Sequence, residues 1–152
     1  MNGITLQALR SLLFFSVPEA ARMVAGVQER TWRYWESDRG KVPEDVAETI
    51  IGLLVFRADL IAETSAQIEE MTVKHGAPES IRITYYSTLD DWMTQELADS
   101  ICWRPHCSAM AEIACRHGAV LVRFDAPDYA RWLGSRKDNS AMRGEWAARK
   151  SD

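Results

Sequence analysis

The 152 residues suffice for one ordinary domain, or for a small head joined to a second compact unit. With 47% hydrophobic and 26% charged residues, the composition is that of a globular chain and excludes a disordered or fibrous one. A net charge of −4 excludes a protein that coats nucleic acid indiscriminately, so any affinity for DNA has to come from local placement of charge.

Leu6, Leu9, Leu12 and Leu13 recur at helical spacing, with Gln7 and Arg10 on the other face, and predict a first helix over 5–15. Ser16 can cap the backbone N–H of Glu19 while Glu19 reaches back, and Pro18 tolerates a first turn, so a second helix starts there. It carries Val17, Ala20, Ala21 and Val24 and stops at Gly26, whose missing Cβ permits the left-handed conformation that ends helices. After a turn, residues 28–36 form a third short helix, with Trp32 and Trp35 directed inward and Glu29, Arg30 and Arg33 free to face outward. Asp38, Gly40 and Pro43 break it. Pro43, followed by Glu44 and Asp45 in a first turn, opens a long helix that runs to His75, ahead of Gly76 and Pro78. Its apolar residues, from Val46 through Ile50, Ile51, Leu53, Val55 and Phe56 to Leu60 and Ile61, make a stripe wider than one domain face requires, which marks it as the junction of two units.

Beyond Pro78 the pattern changes. Ile81, Ile83 and Tyr85 alternate with Arg82 and Thr84 as in a half-buried strand, and 120–124 reads as a second strand. Helical spacing over 88–97, 105–117 and 127–133 completes an α+β half. From Gly134 the chain turns polar and is expected to fray, with Trp146 as a lone apolar residue that can dock. The fold class is therefore mainly α with a small α+β C-terminal half. Residues 1–75 form the head with its junction helix, 76–134 the α+β half and 135–152 a polar tail.

Charge is segregated along the chain. Between Arg22 and Lys41 five basic residues face three acidic ones, whereas between Glu44 and Glu70 seven acids face Arg57 alone. The apolar stretch around 12–15 is too short for a secretory signal, and the uncharged run 49–56 falls far short of a bilayer span, so a cytoplasmic protein without membrane contact is expected. Cys102, Cys107 and Cys115 make an odd count, which argues against a disulfide framework. With His106 and His117 they are the one cluster where metal or thiol chemistry could hide, but their spacing does not supply four tetrahedral ligands, and plain packing is the expected role. A glycine-rich phosphate loop, HExxH and GxSxG are all missing, so neither an enzyme nor a cofactor is called for.

A helix, a glycine-containing turn and a second helix with an Arg-rich outer start are what major-groove reading requires, because the groove admits one α-helix and Arg pairs two donors with guanine. Generic three-helix packing gives the same apolar pattern, which keeps a protein-interaction module, adaptor or antitoxin-like, open as an alternative.

The residues discriminate further. The segments Leu6-Gln7-Ala8-Leu9-Arg10, Val17-Pro18-Glu19-Ala20-Ala21, Arg30-Thr31-Trp32-Arg33-Tyr34-Trp35-Glu36-Ser37 and Val42-Pro43-Glu44-Asp45-Val46 resemble the YdiL-like helix-turn-helix family, which is similar to the anti-CRISPR-associated (Aca-type) repressors. The resemblance implies a repressor-type helix-turn-helix bundle on a half that dimerises, and a homodimer that represses genes by binding inverted repeats in double-stranded DNA. RNA stays open as a further partner. Carried onto this chain, it places Gln28, Glu29, Arg30, Arg33 and Tyr34 on the exposed start and face of the recognition helix. Gly26 comes one residue later than the usual spacing from Ala21, which implies a looser turn. Arg30, one position past the helix start, is the expected base contact, while Arg33, Arg39 and Lys41 suit phosphate clamps. Glu36 is expected to pair within the head.

Overall fold

Asn2 sets where the chain turns helical. Its side chain accepts from the Thr5 N–H at 2.9 Å, and α1 runs Gly3–Leu12 in the computed structural model, which describes residues 1–76 and 78–150. The helix stops short of Phe15 because Phe14 adopts a left-handed φ of 65°, and Phe15 N–H bonds back to the Arg10 carbonyl at 3.1 Å. That reversal turns Phe15 into the core and leaves Phe14 exposed.

The capping box read from Ser16 and Glu19 is formed, and α2 spans Val17–Met23. Gly26 takes φ 61°, and Val27 N–H reaches the Ala21 carbonyl at 2.9 Å, so the later glycine still gives a closed turn. Then α3 covers Glu29–Glu36, and α4 runs Glu44–His75 before Gly76 leaves the helix at φ 82°. At 1.5 Å per residue α4 is about 48 Å long.

Strands β1 (Arg82–Tyr85) and β2 (Val120–Arg123) pair in parallel, Arg82 opposite Val120 and Tyr85 opposite Arg123. Parallel pairing demands a crossover, supplied by α5 (Leu89–Trp92), a 3-10 turn at Ser100–Cys102 and α6 (Trp103–His117). Last come α7 (Ala126–Leu133) and α8 (Ser140–Ala148).

Three departures from the sequence reading have physical causes. The stretch 88–97 is helical only over α5, because Trp92 turns away and donates its indole N–H to the Asp99 carbonyl at 2.8 Å. In β1 the alternation is not the burial pattern: Thr84 is the buried residue, its hydroxyl donating to the Arg143 carbonyl of α8 at 2.8 Å, while Ile83 and Tyr85 are half-buried. The stretch expected to fray after Gly134 forms α8, capped by Asn139, and Trp146 docks with 1% exposure.

The head core gathers Leu6, Leu13, Phe15, Ala20, Trp32 and Ile50. A second, aromatic core holds Tyr86, Trp92, Trp103, Phe124, Tyr129 and Trp146. Between α4 and α6, Ile61 packs on Ala109, Met110 and Ile113. The wide stripe of α4 is thus largely used within the chain, first by the head and then by α6, although Ile51 and Val55 remain about half exposed. Polar ties join the parts. Ser108 of α6 donates to the Leu12 carbonyl and accepts from Arg57 of α4 at 2.8 Å, and Arg57 also pairs with Glu112.

No helix among the described residues is long and apolar enough to cross a membrane. Nor does any group of three or more His, Cys, Asp or Glu among them stand where it could hold a metal ion. All three cysteines are free. The Cys107 thiol is buried and donates to the Tyr86 carbonyl, Cys115 is exposed, and His117 Nε2 sits 2.9 Å from the Ser65 hydroxyl.

Candidate nucleic-acid interface

What fixes α3 is a buried polar node beneath it. Trp32 and Trp35 pack edge to face with ring centroids 5.9 Å apart, both on the core side as their spacing predicts. The Trp32 indole N–H donates to Glu36 Oε1 at 2.7 Å, and Arg10 Nε donates to the same oxygen at 2.6 Å. Arg10 also donates to the Phe15 carbonyl at 2.7 Å, so one guanidinium joins the turn after α1 to Glu36 of α3. Glu36 therefore does pair within the head, and its carboxylate serves the scaffold rather than the surface. Sequence reasoning left Arg10 on an outer face. The signal that would have found it is the one charged residue of α1, with a carboxylate needing neutralisation below.

The two ends of the helix-turn-helix unit are also held. At the far end of α3, Asp38 adopts a left-handed φ of 55° and its Oδ1 accepts from the Gly3 N–H at 2.6 Å. Gly3 is there because nothing larger fits: a Cβ at that position would lie 2.4 Å from the Trp35 carbonyl oxygen. At the near end, Glu19 of α2 accepts from Arg104 of α6 at 2.8 Å. Burial works to raise the Glu19 carboxyl, but the hydrogen bonds from Arg104 and Ser16 outweigh it and hold the group below the usual carboxylate range.

With the inner face fixed, the outer face is determined. Gln28, Glu29, Arg30, Arg33, Tyr34, Arg39 and Lys41 are all solvent-exposed. Arg30, Arg33, Tyr34 and Arg39 line one surface concavity together with Ser37. Ser37 was not among the expected contacts, yet it was legible, since 30, 33, 34 and 37 share one helical face. Gln28 is the N-cap residue and makes no side-chain cap bond, which leaves its amide free of the helix end. Glu29 and Arg33 approach at 3.6 Å, both at least half exposed, a pairing too weak to hold Arg33 from another anion. Tyr34 lies against Gly40, where a Cβ would fall 2.3 Å from its ring. Lys41 stands beyond that glycine, outside the concavity. Three guanidiniums around one hollow, with one loosely paired carboxylate beside them, make a surface for planar or phosphate-like acceptors.

Two comparisons bear on this geometry. The model of the Aca2/YdiL-like family matches residues 1–122, which takes in the whole helix-turn-helix unit, α4 and most of the sheet. A similar protein, the Aca2 repressor of Pectobacterium phage ZF40, is 31% identical over 93 residues, covering 61% of this chain and 74% of that protein. The chain belongs to the Aca2/YdiL-like family.

Proposed function

We propose that this protein is a sequence-specific DNA-binding repressor that acts in the cytoplasm as a homodimer on an inverted-repeat operator, with α3 in the major groove. One observation carries the reading: Arg30, Arg33, Tyr34, Ser37 and Arg39 converge on the outward face of a helix whose inward face is locked by two buried indoles and an ion pair. The name of the Aca2 repressor, a relative in the same family, points the same way.

In this reading residues 1–75 are the reading head and 76–134 the dimerising half. Ile51 and Val55, one turn apart and exposed on α4, add apolar surface for a symmetric contact. Arg30 reads a base edge, with Gln28 and Glu29 beside it at the helix start, and Arg33, Arg39 and Lys41 engage phosphates. Tyr34 shapes the floor of the hollow. Two α3 helices about 34 Å apart then meet successive major-groove turns.

Duplexes selected from a random pool test this directly, read out by fluorescence anisotropy. The recovered site should be palindromic. Three phosphate contacts per subunit give a log–log salt slope near −5, roughly 0.9 for each of about six phosphates. Arg30→Ala should cost about 1–3 kcal/mol and relax preference at one base pair per half-site. A flat salt response, or equal binding of scrambled duplex, would remove the reading in favour of a protein-docking head.

A further inference from the structure

A cavity of about 500 Å³ opens on the opposite half of the molecule, between Leu60 and Ile68 of α4, Ile83 of β1, His106 and Met110 of α6, and Arg143 of α8. This volume is that of a small-molecule site, and the mostly apolar wall with a few polar groups is the composition such sites have. It shares no lining residue with the hollow on α3.

Two features of the wall define what would fit. His106 lines the cavity with a partly exposed ring; its Nδ1 is covered and has no hydrogen-bond partner among the described residues, so a ligand hydroxyl would meet the Nε2 edge of the ring. The imidazole lies 5.5 Å from the ring of Tyr86, which lines the cavity beside it, and 4.8 Å from the ring of Trp92, which does not. Arg143, the neighbouring cation, is already spent. Its guanidinium donates to Asp138 at 2.6 and 3.0 Å, to the Thr94 hydroxyl at 2.9 Å and carbonyl at 3.1 Å, and to the Tyr86 hydroxyl at 3.4 Å. An anionic ligand would find every N–H of Arg143 already used, and Arg82, the other cation on the lining, donates to the Ser80 hydroxyl at 3.1 Å. Burial lowers the His106 pKa to about 4, so the ring is neutral at neutral pH and can meet a hydroxyl as donor or acceptor, whichever tautomer it holds.

We propose that this cavity binds a small, neutral aromatic molecule carrying one hydroxyl group, which hydrogen-bonds to the His106 imidazole while its ring packs on the apolar wall. Binding does not depend on the chain's affinity for DNA, so the two readings stand or fall separately.

The full chain is titrated calorimetrically with 2-naphthol, with naphthalene, which lacks the hydroxyl, and with 2-naphthoate, which is charged. Expected is saturable 1:1 binding of 2-naphthol at least about tenfold tighter than either comparator, that factor being the worth of one well-made hydrogen bond. His106→Phe keeps the aromatic volume and should bring 2-naphthol down to the naphthalene level. Ile68→Trp fills the cavity and should abolish binding of all three. Circular dichroism checks that both variants fold. Undiminished 2-naphthol binding in either folded variant overturns the proposal, as does naphthoate binding equal to that of naphthol. An affinity that weakens as chain concentration rises would mean that a second copy occupies the cavity, and overturns it as well.

Discussion

Replacing Arg10 by Met tests whether the polar node under α3 is what holds the helix. Arg10 and Glu36 are 12% and 8% exposed at their side chains, so they form a nearly dry pair at 2.6 Å, shared with the Trp32 indole. Removing one partner of a buried pair costs about 3–5 kcal/mol, chiefly because the other charge is stranded. The Trp32 N–H remains to solvate Glu36, which places Arg10→Met near the lower end, about 3 kcal/mol. For a chain of this size that is a fall in Tm of roughly 6–12 °C. Glu36→Gln strands the guanidinium instead and should cost about as much. The double variant Arg10→Met, Glu36→Met leaves no uncompensated charge, only the Trp32 indole N–H without its acceptor and the Phe15 carbonyl without its donor, worth about 1–2 kcal/mol each. Urea unfolding followed by tryptophan fluorescence should therefore give a double-mutant cost well below the sum of the singles, at constant m. Additive costs, or a single-variant loss under about 1 kcal/mol, would refute the claim that this node fixes α3.

Two glycines separate scaffold from surface. At Gly3 an added Cβ meets backbone carbonyl oxygens of Trp35 and Glu36 at 2.4 and 2.6 Å, so the α1–α3 contact must open and Gly3→Ala should cost about 2–3 kcal/mol in urea unfolding. At Gly40 the three atoms nearest the added Cβ all belong to the Tyr34 ring, which can rotate, so Gly40→Ala should cost under about 1 kcal/mol yet weaken duplex binding through the displaced ring. Equal losses of stability in the two variants would contradict that assignment. A pH series probes His106. Its folded pKa of about 4 lies below the unfolded value near 6.5, so the unfolded chain binds the extra proton between them. Stability is fully present above pH 6.5 and is lost as pH falls toward 4, by about 2 kcal/mol between pH 7 and 5 from this group. Below that, Asp138 adds a loss of the same sign, since the Arg143 hydrogen bond holds its carboxyl below the usual range. His106→Phe should flatten the upper part of the curve, and an unchanged slope would show that the imidazole is not buried neutral.

The head was legible because its signals are local. A capping box, a turn glycine and two tryptophans three residues apart each fix a short piece of backbone, and each lies where its chemistry required. The outward set at 28–41 followed from the inward one. What was not legible depends on partners distant in sequence. Thr84 is buried because α8 covers it, and α8 exists as packed structure because Trp146 and Arg143 find an aromatic core assembled from α5, α6 and α7. Arg143 is a charged residue in a polar stretch, and only its bonds to Asp138 and its place 4.9 Å over the Phe124 ring explain a burial no periodicity announces. Likewise α5 ends early because the Trp92 indole has a carbonyl to reach, not because its sequence stops favouring a helix.

The segregation of charge then acquires a mechanical sense. An acidic chain can approach a polyanion only if its acids are kept from the contact face, and α4 does this by length. Glu63, Glu69 and Glu70 lie roughly 30 Å or more along the helix axis from Glu44, several Debye lengths at physiological salt. Glu44, Asp45 and Glu48 are the acids of α4 that remain near the head, and the first two sit on its first turn, where the helix dipole offsets part of their charge. The field met by an approaching duplex is therefore set by the local excess between Arg22 and Lys41 and not by the net −4. As salt is lowered the screening length grows, the distant acids begin to be felt, and the gain in affinity should level off instead of following the counterion line indefinitely.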